Sequence, residues 1–226
     1  MKNLNPTNNL NLRYRVKVLV LSVNHDLLKK GETIEAVLRH KLLGDQLEQL
    51  DIIIPAKIGE INQISDKVKV YPTNSKSKFG YLFDCYRLGK KLFSENNYQL
   101  ILAPAPFVIS PVGFWLAKKF KAKFLLHFHG NYLINQNWLK ENRFNRLLIL
   151  ESLRLAEKAN GIQVMNEEIK QFLIKKNIVA DKIKIIKSVI AESKFGADQN
   201  KNIAQKSESQ NYIDEVIKFW SEIINT

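Results

Sequence analysis

Short apolar runs alternate with helical patterns along most of this chain. Seven runs are short enough to be strands, at residues 16–22, 50–55, 68–71, 99–103, 124–128, 161–165 and 182–190. Between them, apolar residues recur at helical spacing, as in Leu82, Cys85, Gly89 and Leu92. Strands that are apolar throughout are typical of a parallel sheet buried on both faces, with right-handed helical crossovers. The sequence therefore predicts an α/β fold with a parallel sheet and flanking helices.

The run at 124–128 breaks into His129-Gly130-Asn131. Ligands of open α/β sheets bind beyond the carboxyl ends of the strands, and the glycine allows a sharp turn there. Asn24 and His25 follow the first strand, and Asn166 follows the run at 161–165. We expect these side chains at one edge of the sheet. Spacing alone leaves open whether His129 does chemistry or only caps a loop.

The two ends of the chain differ from the middle in composition and in apolar pattern. Residues 1–14 are polar and asparagine-rich and predict a flexible leader; the main domain is expected over 15–195. Residues 196–209 are rich in Lys, Asn, Gln and Ser and predict a linker. Residues 210–226 predict an amphipathic helix with one apolar stripe, formed by Ile213, Val216, Ile217, Trp220, Ile223 and Ile224. So short a helix is marginal alone, and we expect it to dock on the domain.

The net charge of +13 favours anionic partners, because 35 Lys and Arg residues face 22 Asp and Glu residues. No zinc-finger spacing or RNP-type motif accompanies this charge, so nucleic acid is not the expected partner. Cys85 is the single cysteine, which excludes an internal disulfide and fits a reducing compartment. With no apolar core in the leader and no run of about 18 apolar residues, a cytoplasmic protein is expected.

Several common chemistries lack their sequence signatures. There is no G-x-G-x-x-G after the first strand, no P-loop and no G-x-S-x-G elbow. His127 and His129 share a strand face at i, i+2, but no carboxylate or cysteine lies near them in sequence, so no metal site is predicted.

Three passages, in this order, resemble the N-terminal domain of retaining GT-B glycosyltransferases of the family 4 type. They are VKVLVLS with the following loop that carries Gly31, then YQLILAPAPFVISPVGFWLAKKFKAKFLLHFHG, then ILESLRLAEKANGIQVMNEEIKQFLIKKNI with DKIKIIKSVI. The resemblance covers about residues 15–195 and implies a Rossmann-like sheet. The first loop has Gly31 alone instead of paired glycines, and Asn160 and Asn166 replace the family's Asp and Ser. No Glu-x7-Glu pair is present, and no arginine follows Arg154.

The resemblance implies that this chain is the acceptor-side half of such an enzyme, with the donor-binding domain missing and supplied by another chain. His129 would contact the transferring sugar or the acceptor, and the surrounding rim would be formed by Asn24, His25, Lys30, Gly31, Asn131 and Asn166. The donor would be a nucleotide-sugar, no cofactor is expected, and the acceptor would be a glycan or lipid-linked sugar. Lys118, Lys119, Lys121 and Lys123 suggest a peripheral contact with the inner face of an anionic membrane. The alternative is a non-catalytic sugar- or phosphate-binding protein, or a remnant that keeps the fold.

Overall fold

The computed structural model describes residues 15–29, 35–104, 107, 109–187 and 199–226, with side chains of the last segment described from 209. These residues form one eight-stranded sheet in the order β3-β4-β2-β1-β5-β6-β7-β8. Neighbouring strands are parallel, except that β3 pairs with β4 in antiparallel orientation. The strands are β1 (Lys17–Leu21), β2 (Gln49–Ile54), β3 (Asn62–Ser65), β4 (Val68–Pro72), β5 (Leu100–Ala103), β6 (Lys123–Phe128), β7 (Gly161–Val164) and β8 (Ile183–Ile185).

Helices cover both faces of the sheet, as the α/β prediction requires. They are α1 (Glu35–Gln46), α2 (Tyr81–Glu95), α3 (Ser110–Phe120), α4 (Gln136–Glu141), α5 (Arg143–Lys158), α6 (Glu167–Lys175) and α7 (Gln199–Asn225), with 3₁₀ turns at His25–Leu28, Lys78–Gly80 and Ala180–Lys182. Asparagines cap several helices: Asn142 accepts from the Phe144 amide at α5, and Asn166 accepts from the Ile169 amide at α6. The fold class predicted from the apolar alternation is confirmed.

The sheet separates two apolar clusters. One, which we call the α3 face, joins the sheet to α2, α3, α5 and α6. The other, the α7 face, joins it to α1 and α7. The stripe of α7 lies in the second cluster, where Ile213, Val216, Ile217, Trp220 and Ile223 are buried. Helix α7 approaches β7 closely because Gly161 has no side chain: a Cβ there would lie 2.2 Å from Ile223 Cδ1.

The structure corrects three sequence predictions. Strand β3 was not predicted, and it makes the sheet mixed instead of purely parallel. Its sequence, NQIS, is polar because β3 is an edge strand, and Asn62 donates to the carbonyls of Leu27 and Lys29. Residues 129–140, which precede the helix predicted to run to about residue 159, were expected to form a loop, but Gln136–Glu141 is the short helix α4, capped by Asn135.

The third correction concerns α7, which begins at Gln199 inside the predicted linker. Residues 199–209 lack Gly and Pro, so a helix nucleated by the docked stripe can extend through them. The predicted leader at 1–14 lies outside the described residues. The division into a domain at 15–195 and a docking helix remains a prediction.

Candidate functional site

A cavity of about 260 Å³ opens at the carboxyl ends of β1, β5 and β6, on the α7 face. It lies where an open α/β sheet is expected to bind its ligand. Helices α1 and α7 form two of its walls. The lining residues are Val20, Ser22, Val23, Asn24, Arg39, His40, Leu43, Leu102, Pro104, His127, His129, Gln163, Tyr212, Val216 and Trp220.

Strand periodicity brings the polar residues of β6 and β7 into this cavity. On β6, Phe124, Leu126 and Phe128 belong to the α3 face. Leu125 belongs to the α7 face, and His127 follows it by two residues on the same side of the sheet. His127 is in register with Gln163 of β7, so the two side chains lie next to each other in the cavity wall.

The three histidines of the cavity are held neutral near pH 7. Burial, with a smaller effect of the Arg39 charge, lowers the pKa of His129 to about 4. Burial and then Arg39 also lower the pKa of His40 to about 4. Burial, His129 and Arg39 together hold the pKa of His127 well below its usual value. The rings of His127 and His129 are 3.6 Å apart between centroids, at 40°.

Hydrogen bonds fix part of this arrangement. Nδ1 of His40 donates to the Ala36 carbonyl over 2.6 Å. Because a neutral imidazole carries one proton, Nε2 of His40 keeps a lone pair and can accept a hydrogen bond. Arg39 has a side chain that is only 20% exposed, and its Nη1 lies 3.7 Å from Oε1 of Glu35. No aspartate or glutamate is among the described residues that line the cavity.

Three buried nitrogens around the cavity have no hydrogen-bond partner among the described residues. They are Nε2 of His127, Nε2 of Gln163 and Nε1 of Trp220, and all three side chains line the cavity. A buried polar group left unpaired costs about 1–3 kcal/mol, and such groups are uncommon in native proteins. Their clustering at one cavity is the feature that most clearly sets this region apart.

The structure brings together only some of the residues predicted from the sequence. Asn24 and His129 both line the cavity, while His25 is exposed at the start of its 3₁₀ turn. Nδ2 of Asn166 donates to Oδ1 of Asn131 over 3.0 Å, and neither residue lines the cavity. Lys30 and Gly31 lie outside the described residues. The roles assigned to these side chains remain predictions.

Other cavity residues were missed by the sequence analysis. Gln163 offered a signal, since it is one polar residue inside the apolar run GIQVM. Arg39 and His40 gave none, because an ordinary helix surface accounts for both. Trp220 was assigned to the docking stripe, and the position of its indole nitrogen depends on where α7 lies. Within the described part of the chain, no group of three His, Cys, Asp or Glu side chains could hold a metal ion.

Comparison with known proteins places the fold. No family model matches the chain, and no curated protein matches it. Among solved structures, the chain is similar to Anabaena HepE in complex with UDP and glucose, with 16% identity, a TM-score of 0.52, and coverage of 87% of this chain and 51% of that one. It is also similar to sucrose-phosphate synthase from Thermosynechococcus elongatus, with 11% identity, a TM-score of 0.54, and coverage of 76% and 48%.

A third similar structure is UDP-N-acetylglucosamine 2-epimerase from Rickettsia bellii, with 11% identity, a TM-score of 0.51, and coverage of 77% and 45%. The chain spans about half the length of the solved structures it matches. Its fold is therefore a Rossmann-like α/β fold of the GT-B kind. None of the helices in the described ranges has the length and apolar character needed to cross a membrane.

Proposed function

We propose that this chain is the acceptor-side half of a retaining, family 4-like glycosyltransferase. A second, donor-binding domain on another chain holds the nucleotide-sugar, and the acceptor is a glycan or a lipid-linked sugar. The protein works in the cytoplasm. In this proposal His129 contacts the transferring sugar or the acceptor hydroxyl, and Asn24 lines the same opening.

The observation that carries the proposal is the position of His129 and Asn24 on one cavity at the carboxyl ends of the strands. The low pKa of His129 keeps its imidazole neutral near pH 7, so the ring can both donate and accept hydrogen bonds to sugar hydroxyls. Closure of a second domain over this opening would exclude the water that otherwise hydrolyses the donor.

The charge of the cavity determines which domain is proposed to bind the diphosphate of the donor. As the sugar leaves, negative charge develops on the diphosphate and has to be stabilised. Arg39 is the one arginine or lysine among the described residues that line the cavity, and Glu35 lies beside it. A single arginine is a weak site for the two phosphates of a diphosphate, so we assign that task to the second domain.

Complementation of a cell extract tests this function. An extract of the producing organism without this gene should transfer little radiolabelled glucose from UDP-glucose to glycan or lipid, and the purified chain should restore transfer. His129→Ala should restore far less. Arg87→Gln is the matched control, because Arg87 is exposed on α2 of the α3 face and pairs only with Asp84 there. Equal rescue by His129→Ala would remove His129 from the mechanism, and transfer by the purified chain alone would overturn the two-chain proposal.

A peripheral contact with an anionic membrane is the second part of the proposal. Lys118, Lys119 and Lys121 are exposed near the half-exposed Trp115, but they lie at the amino-terminal edge of the sheet, opposite the cavity. The first turns of α5 expose Phe144 and Leu147, whose exposed fractions are 67% and 54%. Along the chain, this end of α5 comes after the carboxyl end of β6.

Vesicle binding shows whether the membrane is contacted by the lysines at the end of α3 or by the first turns of α5. Arg143 and Arg146 flank the exposed apolar residues of α5 and are themselves exposed. Each basic side chain near an anionic surface contributes about 1 kcal/mol, and salt screens this attraction. Replacing both arginines with Gln should weaken binding to phosphatidylserine vesicles more than replacing Lys118 and Lys119. Binding that is absent at low salt would overturn the membrane contact.

A further inference from the structure

The cavity on the α7 face is positively charged and rich in hydrogen-bond donors. Arg39 supplies a permanent charge, and none of the described residues that line the cavity is acidic. Among the described residues, the carboxylate paired with Arg39 is that of Glu35, which is 41% exposed and 3.7 Å away. An exposed ion pair at this distance contributes little, so most of the charge of Arg39 remains available to the cavity.

The unpartnered nitrogens are mainly donors. Nε1 of Trp220 can only donate, and Nε2 of Gln163 carries two hydrogens, so one remains available when the other is directed to the hydroxyl of Tyr212. Both residues are almost fully buried, at 2% and 1% exposure. They come from different elements, β7 and α7, and meet at the same cavity as Arg39 from α1. Donors and a guanidinium that converge from three elements match a ligand group made of acceptor oxygens.

We propose that this cavity binds the phosphate group of a small phosphorylated molecule, with Arg39 as its cation and Gln163 and Trp220 as its hydrogen-bond donors. This inference goes beyond the proposed function, because the site would bind such a molecule whether or not the chain is half of a transferase. The cavity is larger than a phosphate group needs, which leaves room for a few carbon atoms. Nε2 of His40, which keeps a lone pair, can accept from a hydroxyl of the bound molecule.

Two consequences follow from the geometry. First, the ligand would bridge the sheet and α7, so its binding would favour the docked position of that helix. Second, a dianion beside neutral imidazoles would raise their pKa, so binding would take up protons as the pH falls. Among the described residues, the titratable and charged groups around the cavity, from every element packed there, are Glu35, Arg39, His40, His127, His129 and Tyr212.

Calorimetric titration with matched pairs of probes tests the ligand class. The full chain is titrated with inorganic phosphate, glycerol 3-phosphate and glucose 6-phosphate, and with glycerol and glucose as the phosphate-free partners. At least one organic phosphate should bind, while glycerol and glucose should bind at least tenfold more weakly. Equal binding of a phosphate-free partner would overturn the proposal. Binding of inorganic phosphate without either organic phosphate would restrict the site to free phosphate and overturn the proposed class.

Variants test the assigned residues. Arg39→Gln should weaken binding at least tenfold, and Gln163→Leu should weaken it several-fold. Glu35→Gln should strengthen it several-fold, because it removes the carboxylate that competes for Arg39; simple damage to the fold would not produce this gain. Arg87→Gln, an exposed arginine on the other face, is the matched control and should leave the affinity unchanged.

Folding is monitored separately by thermal unfolding of each variant without ligand. An equal loss with Arg87→Gln and Arg39→Gln would show nonspecific charge attraction and overturn the site. Hydrogen exchange gives an independent readout: amides of residues 212–223 in α7 should exchange more slowly with the bound phosphate ester. Unchanged exchange there, with binding intact, would place the ligand away from Trp220 and overturn its assigned role.

Discussion

Alternate residues of β6 and β7 face two different environments. Phe124, Leu126 and Phe128 are buried among apolar side chains of α2, α3, α5 and α6. On the other side of the same strands, His127 and Gln163 are equally buried but line a cavity. Burial alone therefore does not distinguish the two faces. The difference is that three unpartnered polar nitrogens of the α7 face meet at one cavity. On the α3 face, the unpartnered atom among the described residues is Oδ1 of Asp51, and the other oxygen of that carboxyl group accepts from Tyr98 and Gln49.

This difference separates what holds the fold together from what the fold can bind. On the α3 face, contacts are tight enough that a Cβ at Gly113 would lie 3.1 Å from Cε2 of Phe124. On the α7 face, the cavity interrupts the packing between the sheet, α1 and α7. We therefore expect substitutions on the α3 face to act on stability, and substitutions around the cavity to act on binding and pH dependence.

The largest expected effect comes from truncating the α3 face. Phe124 is 2% exposed and contacts Phe114 edge-to-face, with centroids 5.9 Å apart. Phe124→Ala leaves a cavity in close-packed surroundings and should lower the free energy of unfolding by about 3–5 kcal/mol. Gln163→Leu on the α7 face should stay within about 1 kcal/mol of wild type, because it removes an unpartnered donor and keeps the volume. Denaturant unfolding measures both, and similar losses would contradict the comparison.

How far the sequence could predict these faces depends on the range of each interaction. All the strands except the polar edge strand β3, and most helices, follow local periodicity, so their pattern was visible in the sequence. His129 and Asn24 were predicted as site residues because each follows a strand, and ligands of open α/β sheets bind beyond the carboxyl ends of the strands. Arg39 and Trp220 were not found as site residues, because the packing of α1 and α7 on the sheet brings them there. Asn166 follows a strand as predicted, but its side chain caps α6 and contacts Asn131.

A smaller effect is expected from acid titration of the α7 face. The pKa of His129 falls from 6.5 in the unfolded chain to about 4 in the fold. Between these values the unfolded chain binds a proton that the folded chain does not, so stability is lost as the pH falls. One such histidine accounts for up to about 3 kcal/mol.

The variant His129→Gln should therefore lose less stability than wild type between pH 7 and pH 4 in urea unfolding at constant ionic strength. Removing His129 also removes a cause of the low pKa of His40 and His127, which reduces the acid loss further. An acid loss as steep as that of wild type would show that His129 is not held neutral by the fold.

The smallest effect is expected at Asp51, the buried carboxyl group on the α3 face, and it has the opposite sign. Burial raises its pKa, while hydrogen bonds from Tyr98 and Gln49 and the charges of Lys69 and Lys17 offset part of that shift. Because the folded pKa is the higher one, the stability that the protonated form contributes is present below the unfolded value and is lost as the pH rises through the folded value. Asp51→Asn cannot ionise, so its stability relative to wild type should increase as the pH rises through that range. Urea unfolding of both proteins over the same pH series measures this difference. A constant difference would show that the pKa of Asp51 is the same in the folded and the unfolded chain.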